Sequence, residues 1–141
     1  MTTTIKTKTF TRAYGLDEIA LVPSTITIDT ELVDTSVEIA GIKLDFPIIA
    51  SAMDSVVSPK TAIELSKLGG LGILNLEGVQ TRYENPDEVL EKIASVGKDK
   101  YVDLMQKVYL EPVKHELVIK RIKEIKDNGG KVVVSSTPQS A

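Results

Sequence analysis

The chain has 141 residues, of which 42% are hydrophobic and 26% charged, a composition typical of a globular protein with one modest core. Its 17 basic and 20 acidic residues are interspersed and leave a net charge of −3, which argues against a nucleic-acid-binding surface. The sequence has no apolar run near the roughly 20 residues of a bilayer span, and no signal peptide, so we expect a cytoplasmic protein that does not bind membranes.

The sequence contains no cysteine, and its single histidine, His115, has no neighbouring ligand residues. Disulfides, thiolate metal sites and thiol nucleophiles are therefore excluded within these 141 residues. We expect no metal site, because one isolated histidine on a charged helix does not make one.

The first 45 residues carry no sustained periodic apolar pattern. Residues 1–13 are rich in threonine and lysine, and residues 14–42 contain short apolar stretches separated by turn residues. We interpret residues 1–45 as an N-terminal arm and an extended lead-in, which pack on a larger body formed by residues 46–141.

The segment that follows has the pattern of a strand, a helix and a second strand. The apolar run at residues 46–52 is continuous, which predicts a strand covered on both faces. Ser58 then offers an N-cap, Pro59 suits the first helical position, and a glycine pair ends the helix before a second predicted strand at residues 71–76. This order predicts a βαβ unit.

The remaining sequence predicts three more helices and a third strand. We expect a helix from Pro86 with a capping box between Asn85 and Glu88, helices over 99–108 and 113–126, and a strand at 131–135. Thr137 and Pro138 then have the pattern of another helix start. Because a domain rarely ends there, we interpret the chain as the first three βα units of a (β/α)₈ TIM barrel of about 250 residues.

Polar residues follow the first two predicted strands, where parallel α/β proteins place ligand-binding groups. These candidate site residues are Ser51, Met53, Asp54, Asn75, Glu77 and Arg82. A serine hydroxyl can bond a ribose or phosphate oxygen, and a thioether can lie against a planar ring. Four of them also have a structural explanation, since Ser51 and Met53 can fill space, Asp54 can hold its loop and Asn75 can form a turn.

Five segments resemble the IMP dehydrogenase/GMP reductase family, and in particular its branch of IMP dehydrogenase-related proteins. They are residues 14–23 (YGLDEIALVP), 47–56 (PIIASAMDSV), 68–75 (LGGLGILN), 81–86 (TRYENP) and 136–139 (STPQ). The SAMD-V motif between a strand and a helix is the most specific of these features.

The resemblance implies a (β/α)₈ barrel, usually a homotetramer, that binds a purine nucleotide (IMP, GMP or XMP) and NAD or NADP(H) at the carboxyl ends of its strands. It implies substrate binding by Ser51, Met53 and Asp54, and cofactor binding by Asn75, Glu77 and Arg82. In this family a loop cysteine attacks the purine. We expect that nucleophile beyond residue 141, so this stretch holds no predicted catalytic residue and would be inactive alone.

Three functions remain open at this point. The first is an IMP dehydrogenase, converting IMP and NAD to XMP, and the second is a GMP reductase, converting GMP and NADPH to IMP and ammonia. The sequence Asn75-Leu76-Glu77, where many dehydrogenases have histidines, and helices in place of paired CBS modules support the second. The third is a non-catalytic nucleotide-binding or scaffolding chain.

Overall fold

The structure is a computed structural model that describes residues 11–139. Two compact units form the chain, one ending at Val33 and the other starting at Asp34. The first unit is largely extended, with a short 3-10 helix at Thr30–Leu32, and exposes apolar side chains such as Leu16 and Leu21. None of the helices in the described part of the chain is long and apolar enough to cross a membrane.

The second unit begins with an antiparallel hairpin. Strands β1 (Val37–Ile39) and β2 (Ile42–Leu44) pair through a two-residue turn whose residues, Ala40 and Gly41, both have positive φ. Such a turn follows the natural twist of a hairpin. Leu44 at its end is fully buried, so the hairpin is anchored to the unit by an apolar side chain.

A three-stranded parallel sheet forms the centre of the second unit. Its strands are β3 (Ile49–Ala50), β4 (Leu71–Asn75) and β5 (Val133–Ser135), in the order β3-β4-β5. The helices are α1 (Pro59–Lys67), α2 (Pro86–Ser95), α3 (Tyr101–Leu110) and α4 (His115–Asp127), with a 3-10 helix at Val79–Thr81. The predicted mixed α/β fold with parallel strands is confirmed, whereas the complete barrel stays a prediction.

Helix α1 has the predicted signals at both ends. Ser58 Oγ accepts the Thr61 N–H at 3.2 Å while Thr61 Oγ1 accepts the Ser58 N–H at 2.7 Å, a reciprocal capping box. At the other end Gly69 has φ +91°, and the Gly70 N–H bonds to the Leu65 carbonyl at 2.9 Å. This Schellman ending returns the chain towards β4.

Helices α1 and α4 pack against the face of the sheet that carries Leu74. The core cluster consists of Val57, Ala62, Ile63, Leu74 and Ile125. Gly72 permits the close contact between α1 and β4, because a Cβ at this position would lie 3.0 Å from the Ala62 Cα. The glycine therefore sets how near the helix can come to the strand.

The first parallel strand is shorter than the predicted run at residues 46–52. The Ile48 N–H bonds to the Phe46 carbonyl, and the Met53 N–H to the Ser51 carbonyl, so both donors turn away from the neighbouring strand. Ile49 is 39% exposed, so within residues 11–139 the helices cover only the opposite face of β3, and cover on both faces stays a prediction.

One end signal in the later part of the chain was wrong. The Asn85 side chain makes no bond to the backbone of α2, and its amide donates to the Glu88 carboxylate at 3.2 Å instead. Pro138 lies in a turn at the end of the described residues, and the helix start predicted there stays a prediction. The helices predicted over 99–108 and 113–126 are confirmed as α3 and α4.

We predict that Gly69→Ala destabilises the intact protein more than Gly129→Ala does. Both glycines end helices with positive φ, +91° and +75°, where alanine costs about 1–2 kcal/mol. At Gly69 the new Cβ would also lie 2.7 Å from the Asp45 Cβ, whereas at Gly129 it would meet nothing within 4 Å. Urea unfolding measures both changes, and equal losses of unfolding free energy would contradict the packing argument.

Candidate ligand site at the carboxyl ends of the strands

The loop that follows β3, residues 51–57, is a compact turn that we call the rim loop. The Met53 carbonyl accepts the N–H groups of Val56 and Val57, both at 2.9 Å, and the Met53 N–H bonds back to the Ser51 carbonyl at 2.8 Å. These bonds fix Met53 and its neighbours relative to the end of β3. The turn is therefore braced internally by its own backbone and moves as one unit.

The Asp54 carboxylate joins the rim loop to two other elements. Its Oδ2 accepts the Val79 N–H at 2.8 Å and the Tyr109 hydroxyl at 2.5 Å. Its Oδ1 is buried and has no hydrogen-bond partner within residues 11–139. Gly78 lies against this carboxylate, because a Cβ there would stand 1.8 Å from Oδ1. Asp54 thus holds its loop, and a direct contact with substrate stays a prediction.

A cavity of about 330 Å³ lies between the rim loop, the end of β4 and helices α2 and α3. Three predicted site residues, Met53, Asp54 and Asn75, line it together. The other lining residues are Ala52, Ser55, Val79, Leu90, Ile93, Met105 and Tyr109. A mostly apolar cavity with a few convergent polar groups is typical of a small-molecule site.

The side chain of Asn75 forms a turn and also lines the cavity. Its Oδ1 accepts the Glu77 N–H at 3.0 Å, which is an Asx turn at the end of β4. No hydrogen bond of its Nδ2 group is found in the part of the chain that the structure describes. The Asn75 side chain therefore forms the turn through its oxygen and leaves its Nδ2 group as a hydrogen-bond donor next to the cavity.

The structure does not bring Glu77 and Arg82 to this cavity. Arg82 donates from Nε and Nη2 to the Glu77 carbonyl at 3.1 and 3.0 Å, and from Nη1 to the Glu111 carbonyl. The Glu77 carboxylate lies 3.4 Å from the Thr137 hydroxyl and lines a second cavity of about 250 Å³. Arg82 thus clamps the loop after β4, and cofactor binding by either residue stays a prediction.

Ser51 occupies the first position of the rim loop and is exposed. It does not line the cavity, although its neighbours Ala52 and Met53 do. Met53 is 51% exposed, so its thioether is accessible at the loop surface as well as to the cavity. Both residues therefore have surface available for a ligand that approaches the carboxyl ends of the strands.

Sequence reasoning missed two residues that hold the loops around the cavity. Tyr109 reaches Asp54 from α3, and no local pattern marks a contact between residues so far apart in sequence. Arg121 is only 7% exposed and donates to the carbonyls of Gln80 and Glu84 at 3.0 and 2.8 Å. The helical spacing could have indicated that Arg121 is buried, because it lies four residues from Leu117 on the buried side of α4.

The comparison with known proteins gives a consistent result. The family model described as "IMP dehydrogenase / GMP reductase domain" matches residues 13–139. A protein of Mycolicibacterium smegmatis named as an uncharacterized oxidoreductase is 30% identical over 95% of this chain and 37% of its own length. An inosine-5'-monophosphate dehydrogenase of Methanocaldococcus jannaschii is 32% identical over 72% of this chain and 19% of its own length.

A solved structure also resembles this fold. It is that of an IMP dehydrogenase/GMP reductase-like protein from Corynebacterium glutamicum, with a TM-score of 0.81 and 33% identity over 92% of this chain and 36% of that one. The present chain thus spans little more than a third of the M. smegmatis and C. glutamicum relatives.

Fold and site together define an α/β protein with candidate ligand-binding groups at the carboxyl ends of parallel strands. The chain belongs to the IMP dehydrogenase/GMP reductase family of oxidoreductases.

A nicotinamide cofactor fits this site in part. The Asn75 amide and the apolar wall of the cavity match a planar ring that carries a carboxamide. Arg82 matches a cofactor phosphate less well, because all three of its nitrogens already donate to backbone carbonyls. Within residues 11–139 there is no group of three or more metal-ligating side chains.

We predict that the Tyr109 phenol ionises well above the ordinary tyrosine range. Burial, together with the hydrogen bond to Asp54 and the negative charge of that residue, raises the pKa of Tyr109 to about 12. Because the folded-state pKa is raised, its contribution to stability is fully present below about pH 10 and is lost between about pH 10 and 12.

Alkaline titration of the intact protein and of Tyr109→Phe gives two curves of phenolate absorbance against pH. Their difference reports the ionisation of Tyr109 alone. The difference between the two curves should rise with a midpoint near pH 12. A difference centred near pH 10 would show that Asp54 and burial leave the phenol unperturbed.

Proposed function

We propose that the intact protein is a purine-nucleotide oxidoreductase of the IMP dehydrogenase type, converting IMP, NAD and water to XMP and NADH. The observation that carries this proposal is the rim loop, in which Ser51 and Met53 follow β3 beside a cavity shared with Asn75. Family membership supports an oxidoreductase reaction, and the cavity beside the rim loop supports nucleotide binding there. We also propose a cytoplasmic homotetramer, as the family resemblance implies.

Each residue has a separate part in this proposal. The Ser51 hydroxyl binds a ribose or phosphate oxygen of the nucleotide, and the Met53 thioether lies against the purine ring. Asp54 keeps the rim loop in place through Val79 and Tyr109. The Asn75 amide donates to the cofactor, which when bound accepts the hydride, while Glu77 and Arg82 stay predicted cofactor contacts.

GMP reductase activity is the second candidate. It is favoured by the segment Asn75-Leu76-Glu77, which stands where the family resemblance would place histidines near the cofactor. In this chain the segment forms an Asx turn. In this reaction GMP would be reduced by NADPH, and the products would be IMP, ammonia and NADP+.

An absorbance assay of the reduced nicotinamide decides between the two directions. The intact protein is incubated with IMP plus NAD and, separately, with GMP plus NADPH. Our proposal expects NADH to form in the first mixture. Consumption of NADPH in the second mixture alone would favour the reductase, and no change in either would leave the non-catalytic chain as the surviving alternative.

We predict that Ser51→Ala weakens purine-nucleotide binding by the intact protein by about 1–2 kcal/mol, the contribution of one hydrogen bond to a polar or charged oxygen. Isothermal titration calorimetry with IMP and with GMP measures the change. Ser95→Ala is the matched control, because Ser95 is an exposed serine at the end of α2 whose hydroxyl, among residues 11–139, bonds only to the Lys92 carbonyl. An unchanged dissociation constant for Ser51→Ala would remove Ser51 from the site.

A further inference from the structure

Helix α3 contacts the rim loop although it belongs to the connection between β4 and α4. Its residue Tyr109 donates a hydrogen bond to Asp54, which lies 55 residues earlier in the chain. Among the residues that the structure describes, Tyr109 is the only side chain that donates to this carboxylate. The position of the rim loop is thus linked to a helix outside the strand-helix-strand unit.

The Asp54 carboxylate is held on several sides. Oδ2 accepts the backbone N–H of Val79 in addition to the Tyr109 hydroxyl, and the absence of a side chain at Gly78 leaves space for Oδ1. Since Val79 and Gly78 follow β4, the carboxylate joins the ends of two neighbouring strands. Loss of the tyrosine hydroxyl would remove one of its two hydrogen bonds.

Tyr109 is itself held in a defined orientation. The Arg82 guanidinium lies 5.5 Å from the centre of its ring, within the range of a cation–π contact. The same guanidinium bonds to the carbonyls of Glu77 and Glu111, which tie the loop after β4 to the residue after α3. A phenylalanine at position 109 would keep the ring and the cation–π contact, so only the hydroxyl contribution would change.

A displacement of Asp54 would affect Ser51 and Met53, the proposed nucleotide contacts, because all three residues lie in the rim loop. Asp54 follows Met53, whose carbonyl accepts two N–H groups within the same turn, and Ser51 precedes them in the same short loop. We therefore expect a shift of the carboxylate to change the backbone positions of Ser51 and Met53, the two predicted substrate contacts.

We propose that Tyr109 is a positioning residue for the purine nucleotide, and that it acts through Asp54 on the rim loop. The inference rests on the proposed function, because it concerns the nucleotide bound at that loop. It assigns to α3 a role in ligand affinity in addition to its role in the fold.

The test compares Tyr109→Phe with Tyr83→Phe in the intact protein. The Tyr83 hydroxyl bonds to the Val108 carbonyl at 3.0 Å, so its loss also removes one bond between α3 and the loop after β4 but leaves Asp54 untouched. Calorimetry with IMP and with GMP gives the dissociation constants, and hydrogen exchange of the Val79 amide reports on the Asp54 contact.

For Tyr109→Phe we expect a dissociation constant about five-fold higher, the factor that corresponds to one ordinary hydrogen bond. We also expect faster exchange of the Val79 amide, with neither change in Tyr83→Phe. If the wild-type protein binds nucleotide and the two variants behave alike, the positioning role is overturned and the proposed function stands. If the wild-type protein binds no purine nucleotide, the proposed function fails, and the positioning role fails with it.

Discussion

The Asp54 carboxylate connects elements that the chain brings together from distant positions. It lies in the rim loop after β3, accepts the N–H of Val79 after β4, and accepts the hydroxyl of Tyr109 near the end of α3. Hydrogen bonds from these two donors offset part of the cost of removing the carboxylate from water, so all three elements are held in their relative positions. The cavity next to it depends on the same positions.

Local sequence signals account for most of the strands and helices that support this contact. Ser58 and Thr61 start α1, a glycine with positive φ ends it, and the lack of a side chain at Gly72 lets α1 approach β4. The core cluster then fixes α1 and α4 on one face of the sheet. Because the three strands are parallel, their carboxyl ends meet at one edge, and Asn75 stands opposite Ser135 in the register.

The sequence was sufficient to predict most of these elements, because capping residues, glycine stops and apolar periodicity are local signals. It overestimated the length of the first parallel strand, because no local sequence signal indicates that the Ile48 N–H bonds back to the Phe46 carbonyl. It named Met53 and Asp54 as substrate contacts and Asn75 as a cofactor contact; the structure brings the three to one cavity, and their binding roles stay predictions. Arg82 could not be placed from sequence, because its donors are used by the carbonyl of Glu77 in its own loop and by that of Glu111, 29 residues later.

The central claim is that the rim loop, held by Asp54, forms the nucleotide site of the intact protein. A crystal structure of the intact protein with a purine nucleotide tests it most directly. The account predicts the purine ring against Met53, a ribose or phosphate oxygen within hydrogen-bond distance of Ser51, and Asp54 still bound to Val79 and Tyr109. A nucleotide bound away from residues 51–57 would contradict it.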